Sequence, residues 1–467
     1  MTLPTDVAWV YSKPMPQESI ETKPRASVGT QARAVLVLGL PLIGSHVAQT
    51  LISVTDTLMM GWYGIPELAA LSLAGPIYYI VFIFGSGFAW AVMPMVASFA
   101  ANEDDRQIRR VTRMGLWLSI VFGLVALPLF FTFGTLFVMM GQEPDISRLA
   151  GVYMSIMGFG LIPAILVMVL KSYLSALELT QAILFATLAA VGLNALTNYM
   201  LIFGNWGAPE MGVAGAGFAS LFSNLFSFVA LALYAVWRRP DHELFRNFHK
   251  PDWEAFGRVF RLGWPIGATS VAEVALFAAS TVMMGWVGTI ALAAHGIALN
   301  IASLTFMIHV GLSQAITVRV GKAWGQQDRE TLRAASLAGL LLSLVAAVLI
   351  AAAFLFFPDP LIGAFVDPKE PQRAVILTTG ATLLAVAALF QLVDSGQVMA
   401  LGMLRGVQDT RVPMIMAIIS YWLIGLPVSY LLGFTFDMGG VGIWLGLTVG
   451  LAGACVMMQT RFWRRYS

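Results

Sequence analysis

Apolar runs of about 20 residues or more recur along the whole of this 467-residue chain, each long enough to cross a hydrocarbon core of about 30 Å at about 1.5 Å per residue. Such repetition excludes a single anchored domain. Only 11% of the residues are charged and 58% are hydrophobic, with a mean hydropathy of +0.80, whereas ordinary soluble domains carry about a quarter charged residues. Water is therefore not the main solvent of this protein. Bounded by Gly, Pro and charge, the runs predict helices near 34–62, 68–99, 113–140, 149–174, 181–204 and 211–237, then near 258–285, 290–322, 333–357, 372–400, 411–433 and 440–463. The expectation is an all-α membrane protein of twelve spans.

Residues 1–33 form a polar tail, with Asp6, Glu18 and Glu21 and no apolar core of signal-peptide length. The first six-helix lobe spans 34–237, a charged linker spans 238–257, and the second lobe spans 258–467. With the N-terminus inside, all but Arg148, Lys369 and Arg373 of the 27 basic residues fall in cytoplasmic segments or at helix ends there. Cytoplasmic loops retain positive charge, so both termini are placed in the cytoplasm. The formal charge of +2 is small and scattered, which excludes a nucleic-acid footprint. Cys455 is the sole cysteine, so there is no disulfide framework and no cysteine metal site.

An internal repeat recurs at an offset of 224 residues: Gly39, Pro41, Val47 and Ala48 return as Gly263, Pro265, Val271 and Ala272. The stretch Thr57–Gly64 returns as Thr281–Gly288, and Leu68-Ala-Ala70 as Leu292-Ala-Ala294. Six helices per repeat is an even number, so both halves insert the same way. That implies two bundles related by a pseudo-twofold along the membrane normal, with a cleft between them suited to alternating access.

A carboxylate at the centre of a membrane helix costs at least about 2.5 kcal/mol and persists where it faces protein, water or a cation. Asp56 on the first helix, Glu273 on the seventh and Asp394 on the tenth are such carboxylates. By the repeat, Asp56 aligns with Ser280 and Glu273 with Gln49. The two acids therefore share a face on related helices but differ in depth by about 10 Å. Near Asp56, the fifth helix offers Asn194, Thr197 and Asn198, with the amides at i and i+4, and the sixth offers Ser220. Neutral donors and acceptors around one acid let it bind or release a proton. In the second half, two acids in one cavity raise at least one pKa or recruit a cation, with Gln391 and Gln397 as further amide ligands. Sodium at Glu273 and Asp394 is one such cation; no transition-metal site is expected.

Lys171, near the inner end of the fourth helix, either snorkels to the interface or enters an ion pair. His46, His295 and His309 stand alone on apolar helices without metal-ligand spacing and are expected to pack. Trp62 and Trp286, at equivalent helix ends, suit interfacial anchoring. Met59, Met60, Met283 and Met284 suit a cavity that accepts varied apolar shapes.

With Pro41 and Asp56 in Val-Thr-Asp-Thr-Leu-Met-Met-Gly, Glu273 in Ser-Val-Ala-Glu-Val, and Asp394 followed by Gly402-Met-Leu-Arg-Gly-Val-Gln-Asp409, the chain resembles the multidrug and toxic compound extrusion (MATE) family, in its NorM-type branch, from about 34 to 465. The resemblance implies an antiporter that expels amphipathic, often cationic, organic compounds as sodium ions or protons flow inward. It implies a first-lobe cation pocket at Asp56, Asn194 and Asn198, a second-lobe pair at Glu273 and Asp394, and a bend at Pro41. Two positions depart from the family pattern. Phe390 stands where sodium-binding members commonly have a tyrosine, removing one oxygen ligand, and Asn198 stands where some relatives carry an acid. The coupling ion is left between proton and sodium.

No HExxH, GxSxG or paired DxxxD motif supports the rival reading of a membrane-embedded enzyme. A second rival, a lipid-linked glycan flippase of related fold, tends to have a richly basic cavity. The expected partners are small amphipathic or cationic molecules and membrane lipids, with no cofactor, no nucleic acid and no obligate protein partner.

Overall fold

A computed structural model describes residues 27–467, so most of the expected polar tail lies outside the described residues. Twelve helices long and apolar enough to cross a membrane follow one another: α1 (Val28–Tyr63), α2 (Ile65–Ala100), α3 (Asp105–Met139), α4 (Pro144–Ala176), α5 (Thr180–Phe203), α6 (Val213–Arg238), α7 (Trp253–Val287), α8 (Thr289–Gly325), α9 (Arg329–Phe356), α10 (Arg373–Gly406), α11 (Arg411–Thr435) and α12 (Gly439–Arg465). Each satisfies its backbone internally, as a segment in oil must.

Several helices outrun the apolar stretches that announce them. Hydropathy marks only the part in oil, while Arg-rich and Glu-rich flanks go on forming helix beyond it. α3 begins at Asp105 rather than near 113, because the Asp104 side chain accepts the Gln107 N–H. Likewise α1 begins at Val28, where Ser27 accepts from the Thr30 N–H at 3.1 Å. A short helix, Pro358–Gly363, fills the connection before α10.

Helix pairing carries the symmetry. In the first bundle α4 packs on α2, α3 and α6, and α5 packs on α1 and α6. In the second, α10 packs on α8, α9 and α12, and α11 packs on α7 and α12. Between bundles, α1 meets α8 and α9 just as α7 meets α2 and α3. These are two six-helix bundles related by a pseudo-twofold, as the repeat implies.

The bundles meet through small residues. A Cβ at Gly87 would lie 2.6 Å from the Gly267 Cα, and one at Gly263 would lie 2.7 Å from the Phe88 Cα. At the related crossing, a Cβ at Gly39 would meet Leu312, and one at Gly311 would come 3.0 Å from the Ile43 Cα. Only glycine lets the backbones approach so closely.

Among the described residues, most hydrogen bonds joining the two bundles fall at the end where α1 and α7 begin, hereafter the basic end; deeper along the crossing, His46 of α1 meets Gln314 of α8. There the Asn102 amide donates to the Gly325 carbonyl at 3.0 Å and the Gln326 amide donates to the Ala101 carbonyl at 3.3 Å, a reciprocal pair across the pseudo-twofold. Glu178, between α4 and α5, takes Lys322 at 2.7 Å and Arg319 at 3.1 Å from α8, and Arg319 also donates to Gln31 of α1 at 2.8 Å. Arg110 of α3 joins Asp252 and Glu254 at the start of α7, at 2.5 Å and 2.8 Å.

Candidate functional site

Asp56 sits on α1 facing α5 and α6, and it is buried. The Asn198 amide donates to its Oδ1 at 2.6 Å, and the Ser220 hydroxyl donates to its Oδ2 at 3.1 Å. Asn198 also donates to the Asn194 side-chain oxygen at 3.1 Å, so the amides spaced i, i+4 act as one unit. Each carboxylate oxygen thus finds a neutral donor, and no basic side chain among the described residues hydrogen-bonds to it. Thr197 does not join it. One residue along a helix is a turn of about 100°, and the Thr197 hydroxyl is spent on the Leu193 and Asn194 carbonyls of its own helix.

The second bundle is built differently. Glu273 on α7 and Asp394 on α10 lie close enough for the charge of one to act on the other. Asp394 is buried, and its Oδ1 has no hydrogen-bond partner. On the same helix Gln391 gives its amide N–H to the Thr305 hydroxyl at 3.3 Å, and Gln397 gives its own to the Tyr421 hydroxyl at 2.6 Å. Both leave their side-chain oxygens buried and without a partner. Around Asp394 the acceptor oxygens therefore outnumber the donors. Phe390, a turn before Asp394, packs edge-on against Phe277 and Trp444 and offers no oxygen.

Two members of this site were not among the candidate residues, although Arg405 lies within the Gly402–Asp409 stretch that carries the family resemblance. Arg405, near the end of α10, reads as one more basic residue at a helix end, yet it lies within electrostatic reach of Glu273 and places its guanidinium 5.7 Å from the centroid of Trp90 in the other bundle. Tyr421 reads as an apolar-run aromatic. It sits fully buried on a widened π-helical stretch, Ile419–Gly425, ahead of Pro427, which has no N–H to continue a regular ladder.

The remaining candidates divide. Pro41 lies inside the continuous α1 and withholds one backbone donor there. Lys171 neither snorkels nor pairs with an acid among the described residues; it turns inward to Ser45 and Gln49. His295 is held between Thr281 and Trp444, each at 3.1 Å, and His309 contacts Ser343 at 2.8 Å, so both pack within the second bundle. Trp62 and Trp286 are exposed at their helix ends. Of the methionines, Met60, Met283 and Met284 are buried in the hydrophobic core and Met59 packs against it.

A family model described as MatE matches residues 41–200 and 265–431. A protein of Agrobacterium fabrum named probable multidrug resistance protein NorM is 44% identical over 434 residues, covering 92% of this chain and 93% of that one. A Rhizobium meliloti protein of the same name is 43% identical over 438 residues, covering 93% and 94%. Among solved structures, a MATE protein crystallised in the bent conformation superposes with a TM-score of 0.83 at 20% identity, over 94% of this chain and 96% of that one. That last likeness is one of fold.

Proposed function

This chain belongs to the MatE family of membrane transporters, and from that premise we propose that it exports amphipathic, often cationic, organic compounds in exchange for an inward-moving monovalent cation, a proton or a sodium ion. The supporting observation is the buried, unpartnered Asp394 Oδ1 beside Glu273, flanked by the unpartnered oxygens of Gln391 and Gln397. Acceptors left bare in a low-dielectric interior call for a positive partner, and a transported cation supplies it.

Exchange follows from charge. A proton or sodium ion at the acids removes the negative charge that holds a cationic amphiphile, so the two ligands compete and each favours a different state. Asp56, already satisfied by Asn198 and Ser220, accepts a proton without losing its neighbours. Pro41 gives α1 a point at which to bend in response. We place the basic end in the cytoplasm of a bacterial inner membrane, since the Arg and Lys side chains gather there. With the bundles joined at that end, the cleft opens away from the cytoplasm.

Dye efflux from proteoliposomes under separately imposed proton and sodium gradients tests this. One gradient is expected to drive ethidium out. Indifference of the dye to both gradients contradicts the proposal.

A further inference from the structure

Apart from the acids, α1, α2, α4, α5 and α8 enclose a chamber of about 10 Å³ in which Ser45, His46, Trp90, Lys171, Ser175 and Gln314 are set among apolar side chains. His46 and Gln314 satisfy each other across it, but the remaining donors are short of acceptors. The Lys171 ammonium reaches only the Ser45 hydroxyl at 3.4 Å and the Gln49 side-chain oxygen at 3.3 Å, both neutral and both long for a charged donor. The Trp90 indole N–H and the Ser175 hydroxyl are buried and find no partner. This is the converse of the Asp394 site, where acceptors lack donors. A lysine near a helix end can lower its cost by snorkelling to the interface; Lys171 instead points inward, so its charge is answered inside the protein or not at all.

We infer that this chamber is an anion subsite, which takes the carboxylate of a zwitterionic amphiphile on the Lys171 ammonium, with the Trp90 N–H and the Ser175 O–H as further donors. The inference rests on the transport reading above. Lys171, Trp90, Ser45 and Ser175 all belong to the first bundle, while Gln314 on α8 belongs to the second. Parting of the bundles at the basic end removes Gln314 and presents the donors to the cytoplasm. Closure brings it back over them and leaves about 10 Å³, room for no more than about one water, so the carboxylate is bound in the parted state and released on closure.

The test compares equilibrium binding of two dyes to the full chain in lipid nanodiscs. Rhodamine 110 carries a free carboxylate beside its cation; rhodamine 123 is its methyl ester. Lys171→Met is expected to raise the Kd of rhodamine 110 relative to that of rhodamine 123 by about tenfold, as for loss of one charge-assisted hydrogen bond. Lys171→Arg should hold most of the original ratio. Trp90→Phe, which keeps the ring and removes the N–H, should move the ratio in the same direction by less, and it carries the test if Lys171→Met does not fold. A ratio that stays the same in the Met and Phe variants overturns the assignment, as does failure of rhodamine 110 to bind the unaltered protein. If chloride abolishes the difference between the dyes, the chamber belongs to a free inorganic anion and the substrate assignment is overturned. Binding is read without any gradient, so the outcome stands apart from whether a cation gradient drives export.

Discussion

At Asp56 both carboxylate oxygens accept a hydrogen bond from a neutral side chain, whereas at Asp394 one oxygen accepts none. Asp56→Asn is expected to preserve the fold, since an amide oxygen still serves Asn198, while ion-driven ethidium efflux falls to background; undiminished efflux would remove Asp56 from the coupling machinery. Asn198→Ala strips the 2.6 Å bond from the carboxylate, and loss of a hydrogen bond to a charged group costs about 1.5–3 kcal/mol. A lowered thermal midpoint in detergent, partly restored by adding Asp56→Asn, is the expected reading. Much of this pocket was legible, because a lone acid on an apolar helix and two amides at i, i+4 are local patterns. The roles of Arg405, although it stands in the Gly402–Asp409 motif, and of Tyr421 were not. Which face of a helix a basic or aromatic residue presents, and what meets it there, depends on packing between segments far apart in the chain.

Among the elements, the turn after α4 couples the bundles. Glu178 adopts φ 63, a left-handed conformation uncommon outside glycine, and from there reaches Lys322 and Arg319. Burial pushes the Glu178 carboxyl up, but the bond to Lys322 and the charges of Lys322 and Arg319 outweigh it and hold the group below its ordinary 4.5. When the bundles part, that pKa returns upward. The joined state therefore binds fewer protons, and its advantage, full above the ordinary value, is lost as pH falls through the lowered one. Spin labels on the basic ends of α3 and α9 should report more separation in Glu178→Gln than in the unaltered protein at pH 7, and the gap should close in acid. Distances that ignore both the substitution and the pH would show that this contact holds nothing. Hydropathy located all twelve spans but misjudged their ends, since caps such as Ser27 and Asp104 act where the chain has already left the oil.

Across the whole molecule, the duplicated halves keep one set of helix contacts and diverge in charge. The first bundle holds an acid sheltered by amides and serine, together with a lysine lacking an acid; the second holds two acids with bare acceptors around them. The pseudo-twofold could be read from the repeat because Gly39 and Gly263 do the same work at related crossings. The repeat implied a cleft between the halves as well, but not at which end they are joined, since contacts such as Asn102 with Gly325 lie between segments far apart in the chain. Gly87→Val places a branched side chain against the Gly267 backbone, where even a Cβ would come within 2.6 Å of the Cα. Export should stop while dye binding persists, with the bundles held apart at the basic end; retained export would show that this crossing can loosen.

The central claim is that the buried acids hold either a small cation or a cationic substrate, never both. Adding ethidium to purified protein without any gradient, while following proton release and bound radioactive sodium, tests it most directly. The account predicts that ethidium displaces one of these ions from the unaltered protein and that Asp394→Asn abolishes the displacement. Dye and ion bound together without competition, or displacement that persists in Asp394→Asn, would contradict it.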